Sequence, residues 1–235
     1  GILECFGRKD KWFSAVVTAD GAGSPRTGIY ADYTNEEMIE VRIREQKKAA
    51  YIGEYGFLSM LMYSSAQIKG DTPEIISDFK DILTKSRPEV VYTHNLCDKH
   101  PTHVAVALKA VKAIRALPKD LRPKNLYGCE VWRNLDWLDD GKKVKLACDE
   151  HLNLERALLG VFDSQIAGGK RYDLATEGRR IANATYAESH GVDTCVRMCY
   201  AMDLTPLIED DSLDIKEFIS SHIEDFKNQV LQNIK

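Results

Sequence analysis

The chain has 235 residues, 44% of them hydrophobic and 29% charged, and carries a formal net charge of −4. That length suits a single α/β domain whose core needs no disulfide or metal staple. The acidic balance excludes a general nucleic-acid binder, and the absence of any run of about 18 apolar residues excludes a membrane span in the sequence.

In chain order, Trp12 to Thr18 is an apolar run closed by Ala19-Asp20-Gly21, which reads as a buried strand and a tight turn. Residues 21–33 are broken by Gly21, Gly23, Pro25 and Gly28 and read as loop. Thr34 stands three residues before Glu37, a capping-box spacing, and the helix it opens runs through Met38, Val41, Glu45, Lys48 and Ala49 to Gly53. Phe57 to Met62 reads as a second strand. Thr72-Pro73 starts a helix with proline at its first position, carrying Ile75, Ile76, Phe79, Ile82 and Leu83 and ending at Pro88. Glu89 to Thr93 is a third strand and His94 to Pro101 a polar loop. Val104 to Leu117 is a helix with Val104, Ala107, Leu108, Val111 and Ile114 on one face.

Beyond Pro123 the pattern changes. Asn125 to Arg133 and Val144 to Ala147 read as strands with an antiparallel element, and helices follow near 151–160 and 175–190. Cys195 to Asp203 alternates as a late strand, with an edge position left open. Asp214 and Glu217 cap an amphipathic closing helix that runs to Ile234. There is no internal repeat, and residues 1–235 read as one domain. The strand–helix alternation predicts an α/β fold, a mainly parallel sheet with helices on both faces. Ligands in such sheets bind beyond the carboxyl ends of the strands, where the loops after Thr18 and Thr93 lie. Cys5, Cys97, Cys129, Cys148, Cys195 and Cys199 form no C-x-x-C pair and read as reduced, mostly buried thiols. With no signal-peptide pattern at the start, a cytoplasmic protein is expected.

The chemistry concentrates in Thr93-His94-Asn95-Leu96-Cys97-Asp98-Lys99-His100-Pro101-Thr102-His103. On a strand-to-helix corner, His100 and His103, three apart, can point into one cleft. Neutral imidazoles are good zinc ligands, and Asp98 is placed to accept the second ring proton of one of them. Helix capping plus a solvated loop fits the same pattern; the residues alone leave both open. His94 reads as structural or peripheral, and His151, His190 and His222 as ordinary.

The segment from Asp98 to His103 resembles the D-x-H-P-D-H signature of the LmbE/PIG-L deacetylases. Other blocks agree in order. Val16 to Gly21 resembles that family's second strand. Arg42, Glu45, Ala49, Ala50 and Gly53 match its R-x-x-E-x-x-x-A-A-x-x-G helix. Asp149, Glu155 and Asp163-Ser164-Gln165 resemble its late D…E…S-Q block.

The resemblance implies a Rossmann-like, three-layer LmbE-type sandwich and zinc-dependent removal of an acetyl group from an N-acetylglucosamine-type amino sugar or conjugate. It implies one zinc per chain and a homo-oligomer, with no nucleic acid or membrane as partner. It makes His103 a metal ligand, His100 the general acid or oxyanion-stabilising imidazolium, and Asp98 the residue that orients an imidazole. Arg42 would line the substrate cleft, and Ser164 and Gln165 would anchor a helix–loop junction near it.

Two features depart from the family. Its A-H-P-D-D-type motif does not occur, and Gly1 to Gly7 resembles the helix that follows that motif. The expectation is therefore that the first strand and further metal ligands lie upstream, and that these 235 residues alone bind zinc poorly. Thr102 stands where the family has Asp. A non-catalytic carbohydrate-binding pseudo-enzyme on the same fold is the alternative. An unrelated doubly wound nucleotide- or phosphate-binding enzyme is a third reading, opposed by the lack of a Walker A or G-x-G-x-x-G pattern.

Overall fold

The computed structural model describes residues 1–234. In chain order the helices and strands are α1 (Ile2–Cys5), β1 (Ala15–Ala19), α2 (Asn35–Ile52), β2 (Leu58–Tyr63), α3 (Ser65–Lys69), α4 (Pro73–Ser86), β3 (Val90–His94), α5 (Pro101–Arg115), β4 (Asn125–Cys129) and β5 (Lys143–Ala147). They continue with α6 (Leu152–Gly160), α7 (Asp163–Ile166), α8 (Tyr172–Thr185), β6 (Met198–Asp203), α9 (Pro206–Glu209) and α10 (Ile215–Asn233). The fold is mixed α/β with partly parallel sheets. The strands lie in two sheets, β1-β2 and β3-β4-β6-β5, where the pattern suggested one. By contacts the chain forms two compact units. The first comprises Gly1–Ile68, Ala147–Thr185 and Asp193–Met198; the second comprises Lys69–Leu146, Tyr186–Val192 and the chain from Cys199 onward.

In the first unit β1 and β2 are parallel, pairing Ala15 with Leu58 and Val17 with Met60 before the register shifts between Val17 and Ala19. Met62 has φ 60°, a left-handed conformation that a non-glycine residue rarely adopts. The turn after β1 needs its glycine. Gly21 has φ +84°, and a Cβ there would sit 2.6 Å from Arg42 Cγ. The capping box forms as expected. The Glu37 N–H donates to Thr34 Oγ1 at 3.2 Å, and the Thr34 N–H donates to Glu37 Oε2 at 2.8 Å. α2 then buries Met38 and Val41 beside Tyr30, and Ala49 against Leu154 and Leu158 of α6.

In the second unit β3 and β4 are parallel and β4 and β6 antiparallel. The late strand β6 is interior, between β4 and β5. Its Tyr200, Ala201 and Met202 are all fully buried, so both of its faces are covered. Gly128 of β4 lets the end of β3 approach: a Cβ there would lie 2.9 Å from both Asn95 Cα and Leu204 Cδ1. Among the described residues, no helix is long and apolar enough to cross a membrane.

Candidate metal centre

β3 ends at His94, the loop 95–100 follows, and α5 begins at Pro101 with His100 as its N-cap residue. Proline at the first helical position loses no hydrogen bond, because that N–H would have no helical partner. The loop is fixed to its neighbour strand. Both the Asn95 N–H and its side-chain Nδ2 donate to Cys129 O at 3.1 Å. Asn95 is fully buried, and its Oδ1 has no hydrogen-bond partner.

Asp98 organises the corner. Its side chain is inaccessible to solvent. Oδ1 accepts the His100 N–H at 2.9 Å, and Oδ2 lies 3.1 Å from His103 Nδ1. Burial works against the carboxylate. The backbone N–H of His100, the His103 ring and the backbone of Trp132 outweigh it and hold the Asp98 carboxyl below its ordinary value. Asp98 thus ties the start of α5 and also meets a ring nitrogen of His103.

The rings form a column. His94 stacks on His103 at 4.0 Å between centroids and 6° between planes. His103 stacks on His100 at 4.5 Å, and His100 faces Trp132 at 6.5 Å and 15°. Lys99 Nζ closes the column 5.0 Å over the Trp132 ring. His94, Asp98 and His103 each offer one ligand atom, and these atoms all lie within 4.8 Å of one another. His94 therefore belongs to the cluster, although its sequence context pointed to the periphery. The usable signal was its place as the last residue of a strand whose carboxyl end leads into the motif. Cys129, paired with His94 across the sheet, stays a neutral thiol, since burial pushes it up to about 12.

Burial first, and the neighbouring His103 second, push the His94 imidazolium down to about 4. In the unfolded chain the ring titrates near ~6.5, so between these values the unfolded state binds the extra proton. The contribution to stability is full above about pH 6.5 and is lost as the pH falls toward 4, by about 3 kcal/mol at most. Urea unfolding at pH 7 and pH 5 should show this loss in the wild type and a much smaller one in His94→Gln. An equal loss in both would place the titrating group elsewhere.

The first unit holds a cluster of its own. Arg42 Nη1 donates to Glu45 Oε2 at 2.5 Å and to Ser164 Oγ at 3.3 Å, and its guanidinium lies 5.3 Å from the Phe162 ring. The Ser164 N–H and Oγ donate to the two Glu45 oxygens at 2.7 and 2.8 Å, and Gln165 Nε2 reaches Ser164 Oγ at 3.5 Å. Asp149 accepts the N–H groups of Val196 and Arg197. Asp98, His100 and His103 thus come together in the second unit, and Arg42 sits in the first.

A buried carboxylate clamping imidazoles at the end of a parallel strand makes a candidate metal centre on an α/β scaffold. Residues 2–114 match the family model described as PIG-L: GlcNAc-PI de-N-acetylase. That span is just under half of the chain and makes it similar to the PIG-L (LmbE-like) family there. Three crystal structures share the fold. The 4-carboxy-2-hydroxymuconate hydratase GalB from Pseudomonas putida is 14% identical, with TM-score 0.59 over 82% of this chain and 96% of that one. A conserved protein from Thermus thermophilus is 20% identical, with TM-score 0.59 over 86% and 85%. The N,N'-diacetylchitobiose deacetylase from Pyrococcus horikoshii is 15% identical, with TM-score 0.58 over 84% and 74%. No curated protein matches the chain.

Proposed function

We propose that the protein is a zinc-dependent hydrolase that removes an acetyl group from an N-acetylglucosamine-type amino sugar or conjugate. The observation that carries this reading is the His94–Asp98–His103 cluster, which lies inside the segment matching the de-N-acetylase family.

The residues fit a metal. His94 is neutral at pH 7 and keeps a lone pair for a ligand bond. With Nδ1 of His103 engaged by Asp98, Nε2 is the nitrogen left free to bind a metal. Imidazoles are donors zinc takes in catalytic sites, and a carboxylate on the other nitrogen of one of them is the usual orienting partner. The orphaned Asn95 Oδ1 leaves one buried acceptor for a water or a substrate N–H.

Zinc bound there would supply Lewis acidity to the amide carbonyl and lower the pKa of water. His103 and His94 would hold it, and Asp98 keeps the His103 ring in one tautomer and one plane. His100, stacked between His103 and Trp132, is held where it can stabilise the oxyanion and give a proton to the departing amine nitrogen. Water adds across the amide, the C–N bond breaks, and acetate and a free amine leave. Arg42 is assigned to the substrate side through its helix motif, with Glu45 and Ser164 holding its guanidinium in one orientation. The reading treats residues 1–235 as one deacetylase domain of the cytoplasm, where the six free cysteines stay reduced.

The test is release of acetate and free amine from N-acetylglucosamine conjugates with zinc supplied, then after chelation. Equal amounts of both products, lost with chelator and restored by zinc, support the hydrolase. Sugar binding without any acetate release would replace it with the carbohydrate-binding protein.

A further inference from the structure

The role proposed for His100 lies in its ring, whereas the hydrogen bond from Asp98 fixes its backbone. Asp98 Oδ1 accepts the His100 N–H at 2.9 Å, and Oδ2 lies against the His103 ring at 3.1 Å. His100 is the exposed N-cap residue of α5, and fixing its backbone does not by itself fix a ring that sits beyond χ1 and χ2. On one side the ring meets His103. On the other it faces Trp132, 6.5 Å away between centroids and 15° between planes.

Trp132 is carried by a well-anchored segment. β4 ends at Cys129, paired with His94, so residues 130–132 leave the sheet beside the strand that leads into the motif. The Glu130 N–H donates to Tyr200 O at 3.2 Å, which ties the start of the segment to β6. Beyond Trp132, Leu135 and Leu138 are buried in the core. Between these anchors the Trp132 backbone N–H donates to the Asp98 carboxylate, and Lys99 Nζ lies 5.0 Å over the indole. One residue thus touches Asp98, Lys99 and His100, three consecutive positions of the motif.

We infer that Trp132 is the positioning residue of His100: its indole holds the imidazole in one plane against His103, and it acts on turnover through that ring alone. The effect on turnover rests on the deacetylase reading; the effect on the ring rests on the geometry. A broad flat ring nearly parallel to an imidazole restricts how the imidazole can tilt and turn. A group that stabilises an oxyanion or delivers a proton must be held in place, and a displacement of about 1 Å can cost on the order of 10²-fold. Both tasks of His100 belong to the transition state, so losing its orientation lowers kcat and leaves KM alone. Phenylalanine at this position keeps a flat face toward the imidazole, and alanine removes it.

Ring-carbon NMR relaxation on histidine-labelled full chain, without metal, reads the ring directly. The His100 signals, assigned by their loss in His100→Ala, should be rigid in the wild type and in Trp132→Phe. In Trp132→Ala their order parameter should fall below about 0.6, while buried His222 on α10 stays unchanged. With zinc supplied, Trp132→Ala should lower kcat about 10- to 100-fold at unchanged KM and zinc content, and Trp132→Phe should recover most of it. In a His100→Ala background the same substitution should cost less than about 2-fold, because the ring it positions is gone. A His100 ring as rigid in Trp132→Ala as in the wild type overturns the inference. So does an equal loss of kcat in both backgrounds, which would make Trp132 a structural residue only. If the wild type releases no acetate, the deacetylase reading fails and the ring measurement still decides this one.

Discussion

On the proposed reading, replacing His103 with alanine should remove metal binding and deacetylase activity together. The ring is one of the two imidazole donors in the cluster, and its Nδ1 is bonded to a carboxylate with no solvent exposure. Loss of a partner that orients a ligand typically costs ~10–100-fold in metal affinity or activity, and loss of the ligand itself should exceed that, at about 10³-fold or more in turnover. Asp98→Asn should fall in the smaller range. It keeps an acceptor for the His100 N–H but weakens control of the His103 tautomer. Elemental analysis and acetate release on the same samples separate the two. A His103→Ala protein that retains one zinc and full turnover would remove this histidine from the centre. The fold should survive, because the His103 side chain sits in the first turn of a helix, 23% exposed, and fills no apolar core position.

The second large effect is on stability and lies in the first unit. Glu155, 2% exposed, stands between two guanidiniums: Arg180 bonds one oxygen, and Arg197 Nη1 lies 3.1 Å from the other. Arg197, 5% exposed, also donates to Glu177 at 2.6 Å, and Glu177 accepts from Arg156 at 3.0 Å. This network joins α6, α8 and the segment before β6. Glu155→Ala takes one carboxylate from Arg180 and leaves buried Arg197 with Glu177 alone, and breaking such a buried pair typically costs about 3–5 kcal/mol. Urea unfolding should show it as a fall in midpoint at unchanged slope. A loss below about 1 kcal/mol, the range of surface pairs, would mean that water already screens the network. Arg156→Ala, by contrast, removes an exposed partner of Glu177 and should change little.

What could be read from the sequence was local. Thr34 with Glu37, Asp214 with Glu217, and proline at the first turn of α4 each act within a few residues and start their helices as read, whereas α5 begins at Pro101, three residues before the Val104 that its apolar pattern suggested. The motif Asp98 to His103 was legible for the same reason. It is one corner of chain, and the hydrogen bonds that shape it span two to five positions. What escaped depends on distant partners. β6 alternates like an edge strand, and only its pairing with β4 on one side and β5 on the other makes it interior. His94 became a member of the cluster through the turn of the loop that lays its ring on His103. Trp132 joins from the segment after β4, about thirty positions beyond the motif, with nothing in its own neighbourhood to mark it. The Arg42 helix motif was visible, but the Ser164 contact that shares Glu45 with it spans 119 positions.

The cluster of His94, Asp98 and His103 is contained in ten consecutive residues. Metal sites whose ligands come from remote segments form only when the whole chain has closed long loops, so their affinity includes the free energy of folding. Closing a loop of this length is among the smaller entropic costs a chain meets. In the proposed centre, bringing the donors together would therefore close only a short loop, while the shape of that loop still rests on the Asn95 bonds to Cys129 of β4, so a variant that frees this corner from β4 should lose metal binding along with the fold.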